Sequence, residues 1–541
     1  MIGSGAAAGG EISRRQFYSF ERLWRAYRDC RRHKRKTTNA LDFEFDAEAK
    51  LLELRRELIE HSYSPGPSIC FVTDGPKPRE VFAADFRDRI VHHLLVAELE
   101  AVFEPRFIHD SYACRRGKGV LAASDRLMQF LRRITANGRR PAWAIKLDVA
   151  SFFPSIDKRT LFEILCGNVR DPELHWLIKV ILFHDPTENY TFKSGPGHVP
   201  PPSSPRYPIA ARKSLFGNRN ERGLPIGNLT SQFWANVYLN ELDQFVKREL
   251  RCRMYVRYVD DLILLDSDRD RLTQWRDQIG RFLGERLKLG LRVDSVDPRP
   301  ANRGIDFVGW KTFWGHRLPR RRTLAQCSAR LRRFEKHALR PMWNGLVRRV
   351  DVVPASSSYP GRGLDDLCVA LASYCGHLRQ GSSSTAWGAL RREHQWLDDV
   401  FAEVAGDRWH LRLRWPARIL RDTRFARQYT RAIESAGARA LVFCQVGRFI
   451  EFYGPQRLLA ARVLRLVQVR MPRGGYAFGV GFPLRLRTPY IGRAVRAGYM
   501  VADVREVESI PGRPVQRRVA ALWLASEVKE KQVARGAEPG D

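Results

Sequence analysis

The sequence predicts a mixed α/β (α+β) fold with a small second α/β unit near the C-terminal end. Three observations predict it. Short apolar runs with strand character, such as WAIKLDV and YVRYVDDLILL, are separated by segments whose apolar residues recur at helical spacing. Residues from about 320 to 400 have a basic, helical pattern. The composition changes again near residue 425, after which predicted helices and strands alternate.

The net charge points to a polyanionic partner. The chain has 541 residues, with 93 Lys plus Arg against 59 Asp plus Glu, so its formal net charge is +34. A chain this basic is typical of proteins that bind phosphate backbones, because neutralised phosphates release counterions. Ribosome-like binding and membrane-surface binding also fit the charge, which does not indicate a reaction.

Cysteine spacing and hydropathy predict the compartment. Nine cysteines occur without Cys-x-x-Cys spacing, which favours reduced thiols in an intracellular setting, and the cytoplasm is the expected location. No apolar run approaches the roughly 18 residues that a membrane span needs, and the N-terminal residues lack the order of a signal peptide. A P-loop motif is absent from the sequence, which argues against a P-loop ATPase.

Three aspartates lie at the ends of predicted apolar strands. Asp148 ends the run AIKLD, and Asp260 and Asp261 lie in a turn between MYVRYV and LILL. Crowded carboxylates need cations, and Mg²⁺ beside substrate phosphates is a natural partner. Three carboxylates from two strand ends can hold two Mg²⁺ ions, which activate a 3′-hydroxyl and stabilise a leaving pyrophosphate. Taken alone, the paired aspartates also fit an acidic turn on a solvated hairpin.

The surroundings of these aspartates resemble a reverse transcriptase over most of residues 65–395. YVDD is similar to the family's double-aspartate motif, and IKLDVASFFPSI to its first metal-binding motif. KPREVFAADFRDRIVHHLL resembles the fingers region, GIDFVGWKTF the primer grip, and SYCGHLRQGSSSTAWGAL the thumb of bacterial enzymes. The resemblance implies a right-hand polymerase with fingers, palm and helical thumb, and RNA-directed DNA synthesis.

The resemblance also implies roles for individual residues. It implies that the ligands of the two Mg²⁺ ions are Asp148, Asp260 and Asp261, and that the Val149 backbone helps to hold the second ion. It makes Phe153 the aromatic side chain that blocks a ribose 2′-hydroxyl. The positions it places near the incoming nucleotide are Lys77, Arg79, Arg87, Phe153, Ile226, Gly227 and Gln232. The family's lysine just before the primer grip is not evident, and Lys288 is a weak substitute, so the general acid for pyrophosphate departure is unassigned.

The segment IGNLTSQ, residues 226–232, narrows the resemblance. Ordinary reverse transcriptases read Q-G-x-x-x-S-P here, whereas this chain has Ile226 and ends the motif in Ser-Gln. With the preceding KSLF, this form resembles the enzymes of diversity-generating retroelements, which copy a template RNA with errors concentrated at adenines. The resemblance implies four kinds of partner: a template RNA, a cDNA or DNA primer, deoxynucleoside triphosphates and a small basic accessory protein.

Other functions stay open at this point. A defence-associated or other retroelement reverse transcriptase fits the same motifs, because motifs do not report genomic neighbours. A catalytically inactive RNA-binding scaffold is the non-enzymatic alternative. Group II intron maturases fit less well, since no clear DNA-endonuclease segment or splicing domain is evident, and retron signature segments are not found.

Residues 425–508 resemble the N-terminal mismatch-recognition domain of MutS. In that family a Phe-x-Glu element enters the minor groove at a mispair, and RFIEF supplies Phe449 and Glu451 at the matching place. Wedging by an apolar side chain is cheapest where base stacking is already weak. A strand with Phe449 in the core and Glu451 in solvent is the plain alternative, and a basic RNA-binding appendage is another. The MutS ATPase is missing, so complete mismatch repair is not expected.

These patterns divide the chain into six predicted parts. They are an N-terminal tail with a basic helical extension (1–64), fingers and palm (65–315), a helical thumb (316–400), a linker (401–424), a MutS domain I-like unit (425–510) and a C-terminal helix or tail (511–541).

Overall fold

The computed structural model divides the chain into two compact units, Met1–Arg317 and Leu318–Asp541. The residues that the structure describes are 14–32, 37–73, 78–193, 200–218, 221–292, 297–342, 347–351, 364–404, 406–413, 425–436, 440–473, 476–507, 515 and 517–525. Helices and strands are interleaved along the described chain, so the mixed α/β class predicted from the sequence is confirmed.

The described part of the first unit contains more helix than strand. They include α1 (Phe20–Arg31), α2 (Thr38–Phe45), α3 (Ala47–Ile59), α4 (Phe86–Phe103), α5 (Val120–Ile134), α6 (Phe152–Ser155), α7 (Lys158–Cys166), α8 (Pro172–Phe183), α9 (Leu229–Gln244) and α10 (Arg269–Leu287). Four of these helices, α4, α7, α8 and α10, are preceded directly by an aspartate whose side chain accepts a hydrogen bond from a backbone N–H of the first turn. Such N-caps satisfy donors that the helix itself leaves unpaired.

The described strands that lie in the first unit, or begin at its last residue, form three small sheets. They are β1 (Ser68–Val72), β2 (Glu80–Ala83), β3 (Trp143–Asp148), β4 (Tyr190–Phe192), β5 (Tyr255–Tyr258), β6 (Asp261–Asp266), β7 (Arg299–Pro300), β8 (Ile305–Phe307), β9 (Trp310–Thr312) and β10 (Arg317–Pro319). The strand orders are β2-β1-β4, β5-β6-β3-β7 and β10-β9-β8. The sheet β5-β6-β3-β7 is antiparallel throughout.

Both faces of the sheet β5-β6-β3-β7 are covered. Leu262 and Leu264 of β6 join the large helical core that contains α9, whereas Ile263 and Leu265 join a second core against α5. This alternation follows from the two-residue period of a strand. Burial on both faces explains why β5 and β6 appear in the sequence as nearly continuous apolar runs.

The second unit combines helices with one large sheet. Its helices include α11 (Arg321–Ala338), α12 (Leu364–Leu378), α13 (Ser384–Glu393), α14 (Trp396–Val400), α15 (Phe425–Ala436), α16 (Gly454–Leu464) and α17 (Arg487–Arg496). Its strands include β11 (Leu339–Met342), β12 (Val347–Asp351), β13 (Phe401–Val404), β14 (Asp407–Leu413), β15 (Ala440–Val446), β16 (Phe449–Phe452), β17 (Val469–Arg473), β18 (Tyr476–Pro483), β19 (Met500–Glu506) and β20 (Arg517–Ala525). The eight-stranded sheet has the order β11-β12-β20-β19-β15-β16-β18-β17.

Three segments of the second unit differ from the secondary structure that the sequence predicts. The predicted helical range 316–400 contains the strands β11 and β12, and β12 pairs with β20. The predicted linker begins with a hairpin, in which Phe401 pairs with Leu413, while residues 414–424 lie outside the described residues. The C-terminal segment predicted as helix or tail contains β20. A short apolar run does not distinguish a doubly buried strand from a helix, which explains this error.

Candidate active site

Three aspartates lie at one end of the sheet β5-β6-β3-β7. Asp148 is the last residue of β3 and Asp261 the first of β6, and the antiparallel register places them directly opposite each other. Asp260 lies in the turn that joins β5 to β6. Directly paired residues in antiparallel strands have Cβ atoms about 4.5–5.5 Å apart, so the strand pairing itself brings these side chains together. We call Asp148, Asp260 and Asp261 the acidic cluster.

Asp260 holds its proton more tightly than an ordinary aspartate. Burial, together with the neighbouring charges of Asp148 and Asp261, raises its pKa from 3.8 to about 6, while Arg79 acts in the opposite direction. Burial and like charges both disfavour the ionised carboxylate. A divalent cation between these carboxylates would remove that penalty.

Two basic side chains bind the other members of the acidic cluster. The Lys146 Nζ atom lies 2.7 Å from Oδ1 of Asp261, and the Arg292 Nη1 atom lies 3.0 Å from Oδ2 of Asp148. The backbone N–H of Arg292 also donates to the carbonyl oxygen of Asp148. Lys146 and Arg292 are themselves partly exposed, so each ion pair is weak and can exchange for another cation.

The donor set fits a hard divalent ion. Carboxylate oxygens are the ligands that Mg²⁺ prefers, and three of them meet at this sheet end. Within the part of the chain that the structure describes, no group of three His, Cys, Asp or Glu side chains already has the arrangement of a metal site. In this structure Asp261 and Asp148 are paired with Lys146 and Arg292 instead.

The raised pKa of Asp260 predicts that Asp260→Asn stabilises the metal-free protein at neutral pH. The pKa of Asp260 is near 6 in the folded state, against an ordinary value of 3.8 for the unfolded chain. Tighter proton binding therefore stabilises the folded state fully below pH 3.8, and this contribution is lost as the pH rises through about 6. The asparagine of the variant does not ionise, so the variant does not lose stability in this pH range. We expect its free energy of unfolding to exceed that of the wild type by up to about 3 kcal/mol at pH 8.

Urea denaturation in EDTA at pH 4 and pH 8 measures this difference, with Asp266→Asn at the other end of β6 as the matched control. A gain for Asp260→Asn of equal size at both pH values would contradict the electrostatic explanation.

The segment that begins at Ile226 lies against β2. The backbone N–H of Phe82 donates to the carbonyl oxygen of Ile226 at 2.9 Å. Gly227 has φ +122°, and a Cβ atom there would lie 2.8 Å from Cγ1 of Val81. Only glycine therefore fits this position without a backbone shift. The Ile226 side chain itself is half-buried.

Phe153 and Gln232 lie on the elements that flank this segment. Phe153 is half-buried in α6, and its carbonyl oxygen accepts a hydrogen bond from the Leu224 backbone at 2.9 Å. Gln232 is exposed in the first turns of α9, where its Oε1 atom accepts from the Cys114 thiol at 3.5 Å. Val149, the residue after Asp148, forms an isolated antiparallel bridge with Leu291.

The three basic residues predicted near the nucleotide differ in their placement. Arg79 lies close enough to Asp260 to lower the pKa of that carboxyl group. Arg87 instead binds Glu57 through its guanidinium group, which also lies over the Tyr63 ring, so the structure does not bring it to the acidic cluster. Lys77 lies outside the described residues.

Sequence reasoning missed Lys146 and Arg292. A usable signal existed for Lys146, because it lies two residues before Asp148 on β3 and therefore on the same face of the sheet. No comparable signal existed for Arg292, which is 144 residues from its partner Asp148.

In the second unit, Phe449 and Glu451 share one face of β16 but differ in exposure. Phe449 is 47% exposed beside the turn to β15, whereas Glu451 is 4% exposed and accepts a hydrogen bond from the Tyr453 hydroxyl. The plain alternative, with Phe449 in the core and Glu451 in solvent, is therefore wrong. Neighbouring β18 carries Gly481, where a Cβ atom would lie 2.7 Å from the Ile450 carbonyl oxygen.

Carboxylates that meet at strand ends are characteristic of enzymes that make or break phosphodiester bonds with bound divalent ions. The sheet β5-β6-β3-β7 and its acidic cluster therefore define a candidate phosphoryl-transfer protein.

The comparisons with known families narrow this class. Residues 75–295, which include the acidic cluster, match the family described as reverse transcriptase (RNA-dependent DNA polymerase). This region is thus similar to a reverse transcriptase domain, and the match supports RNA-directed DNA polymerase activity. Residues 423–530 match MutS domain I.

The relatives are distant and longer than the matched region. A 91 kDa protein in the cob intron of Schizosaccharomyces pombe is 26% identical over 188 residues, which are 35% of this chain and 19% of that protein. The group II intron-encoded protein LtrA of Lactococcus lactis subsp. cremoris is 23% identical over 203 residues, which are 37% of this chain and 28% of LtrA. The match therefore spans less than a third of either relative.

Two telomerase structures are similar to the chain at a TM-score of 0.31. Apo telomerase from Candida tropicalis is 13% identical, with 49% of this chain and 57% of that chain covered. Telomerase from Candida albicans, solved with a fragment of telomeric RNA, is 11% identical, with 60% and 55% covered. Within the described residues, no helix has both the length and the apolar character that crossing a membrane requires.

Proposed function

We propose that this protein is an RNA-directed DNA polymerase that extends a primer along a template RNA with deoxynucleoside triphosphates. One observation carries the proposal: Asp148 lies opposite Asp261, and Asp260 lies in the adjoining turn, within the region that matches reverse transcriptases. A catalytically inactive RNA-binding scaffold has no need for three acidic side chains at one sheet end.

The proposed reaction assigns a task to each group. Two bound Mg²⁺ ions would activate the primer 3′-hydroxyl and stabilise the leaving pyrophosphate. Asp148, Asp260 and Asp261 would hold the ions, together with the Val149 backbone. Arg79 would pair with the triphosphate, and Lys77 is a further candidate for that role. Phe153 would exclude a ribose 2′-hydroxyl, and the turn at Ile226 would contact the nascent base pair.

We further propose that the polymerase is the error-prone enzyme of a diversity-generating retroelement. The support is the motif IGNLTSQ, in which Ile226 replaces a hydrogen-bonding glutamine beside the nascent pair. No comparable motif in this sequence points to a defence-associated enzyme, and the group II intron relative is similar over only 37% of this chain. A neighbouring pair of near-identical DNA repeats that differ mainly at adenines would support the retroelement, and defence genes in that place would contradict it.

Ile226→Gln is expected to lower misincorporation opposite template adenine by roughly two- to tenfold. A restored hydrogen bond is worth about 0.5–1.5 kcal/mol, and it would constrain the geometry of the nascent pair. Sequencing of cDNA made from one adenine-rich template by both proteins measures the effect. Ile226→Leu, which restores no polar group, is the control. An unchanged error spectrum for Ile226→Gln would contradict this role.

For the second unit, we propose binding to distorted duplexes made by the polymerase. The exposed Phe449 beside the β15–β16 turn supports it, together with the match to MutS domain I. Glu451 would contribute only after its hydrogen bond with Tyr453 breaks. A basic appendage that binds any RNA is the alternative, and it predicts equal affinity for matched and mismatched duplexes.

Phe449→Ala is expected to reduce the affinity of the full chain for a mismatched duplex by about 5- to 160-fold, since stacking on one aromatic ring is worth about 1–3 kcal/mol. Binding to a matched duplex should change little. Phe478→Ala, which removes another phenylalanine that is also 47% exposed, is the matched control. Equal losses on both duplexes would contradict mismatch recognition. Fluorescence anisotropy measures the six affinities, those of the wild type and both variants for each duplex.

A further inference from the structure

A fully buried ion pair lies directly beneath the acidic cluster. Arg257 of β5 and Asp243 of α9 are both 0% exposed. The Arg257 Nε atom donates to both carboxylate oxygens at 2.8 and 3.0 Å, and Nη2 donates to Oδ2 at 2.7 Å. The Tyr255 hydroxyl donates to the same carboxylate at 2.7 Å. The carboxylate is therefore fully engaged, and the guanidinium plane is fixed by a bidentate contact.

The remaining arm of the guanidinium group reaches the turn that carries Asp260. The Arg257 Nη1 atom donates to the carbonyl oxygen of Val259 at 3.1 Å and to Oδ1 of Asn236 at 3.1 Å. The Val259 carbonyl belongs to the peptide group whose nitrogen is that of Asp260. Arg257 thus fixes the orientation of the peptide plane from which the Asp260 side chain begins.

The turn needs such support because its backbone is unfavourable. Val259 has φ +54°, a left-handed conformation that is rare for β-branched residues. Conformations of this kind cost energy and persist only where surrounding contacts enforce them. Pairing of Tyr258 with Asp261 and the hydrogen bond from Arg257 both act on this turn.

Two side chains on one face of α9, those of Asn236 and Asp243, bind Arg257 and form a hydrogen-bond network with it. Asn236 and Asp243 are seven residues apart, which is two helical turns, and both side chains are buried. The Asn236 Nδ2 atom donates to the Ala113 carbonyl oxygen at 2.7 Å. The backbone of Arg257 pairs with Asp110 and Tyr112 in the same segment. The network therefore connects three separate parts of the chain to one turn.

We propose that the Arg257–Asp243 pair positions Asp260 for metal binding, acting through the Val259 carbonyl. The inference rests on the proposed polymerase function. Neither residue touches a substrate, so both are positioning residues. A pair that served stability alone would be replaceable by apolar side chains of similar volume, because buried ion pairs are often no more stabilising than such replacements. A positioning pair is not replaceable in this way.

The double variant Arg257→Met/Asp243→Leu tests the proposal in the full chain. It removes both charges and leaves no unpaired buried charge. We expect thermal unfolding close to that of the wild type, a kcat for primer extension lower by 10- to 100-fold and a KM for deoxynucleotide within about threefold of wild type. Electron paramagnetic resonance titration with Mn²⁺ alone should give a dissociation constant that is 10- to 100-fold higher.

A second variant guards against loss of folding. Arg257→Lys keeps the charge opposite Asp243 but has no planar fork to reach Val259 at the same time. We expect it to show the same pattern in kcat and Mn²⁺ affinity. The control is Arg31→Met/Glu44→Leu, which removes an ion pair between α1 and α2 and should leave both quantities unchanged.

Two outcomes are distinguishable. A folded Arg257→Lys or double variant with the kcat and Mn²⁺ affinity of the wild type would overturn the positioning role and leave the polymerase function intact. A wild-type protein that binds Mn²⁺ and makes no cDNA would overturn the polymerase function. The Mn²⁺ titration of the variants would then still decide whether Arg257 and Asp243 position Asp260.

Discussion

Asp260→Asn is expected to lower primer extension on an RNA template by about 10³-fold. The carboxylate is proposed to hold Mg²⁺ at the reacting phosphate, and losing several kcal/mol of charge stabilisation there corresponds to a rate loss of this size. The substitution keeps the size of the side chain, and the metal-free protein should become more stable. The loss of activity would therefore not reflect unfolding.

Asp266→Asn provides the matched control for this loss. Asp266 ends the same strand that Asp261 begins, opposite Trp143, so it lies at the far end of β6 from the acidic cluster. Single-turnover extension by the two variants and the wild type, at saturating Mg²⁺, measures the effect. Retention of more than a tenth of the wild-type rate by Asp260→Asn would contradict the proposed role.

Phe153→Ala is expected to reduce discrimination against ribonucleotides by about 10- to 200-fold. The Phe153 ring is proposed to clash with a ribose 2′-hydroxyl, and alanine would remove that clash. A change of this size in a substrate pocket alters selectivity by about this factor. The half-buried Phe153 lies on α6, which begins a few residues after Asp148, and its backbone is hydrogen-bonded to Leu224 near the Ile226 turn. The backbone of Phe153 therefore connects the segment that follows Asp148 with the residues just before Ile226.

The ratio of kcat/KM for a deoxynucleotide to that for the matching ribonucleotide measures this selectivity. Phe152→Leu is the control, because Phe152 is fully buried and packs against Phe153 without being exposed itself. An unchanged ratio for Phe153→Ala would show that sugar selection depends on other residues.

Sequence reasoning predicted the acidic cluster because its residues follow local rules. Each of the three aspartates ends or interrupts an apolar run in the sequence. Pairing of β3 with β6 then places Asp148 opposite Asp261. The contacts that hold the cluster were not predictable in this way. Arg257 appears in the sequence as one basic residue within a strand of a very basic protein, and its burial against Asp243 depends on how β5 packs on α9.

The second unit was harder to predict for a different reason. In β20 the consecutive residues Leu522 and Trp523 pack into two different cores, so both faces of the strand are covered and its sequence loses the alternation typical of strands. Glu451 is buried with its carboxylate bound to the hydroxyl of Tyr453, the residue just after β16, and a tyrosine two residues away gives no burial signal in the sequence. In both places tertiary packing outweighs the local pattern.

Single-nucleotide incorporation by the wild-type chain tests the central claim most directly. Purified protein, shown to be folded, is given a primer annealed to a template RNA, one deoxynucleotide at a time and increasing Mg²⁺. The account predicts extension by one nucleotide, for the complementary deoxynucleotide in preference to the others, with no extension when Mg²⁺ is removed by EDTA. Absence of extension at every Mg²⁺ concentration, or extension that proceeds equally well in EDTA, would contradict it.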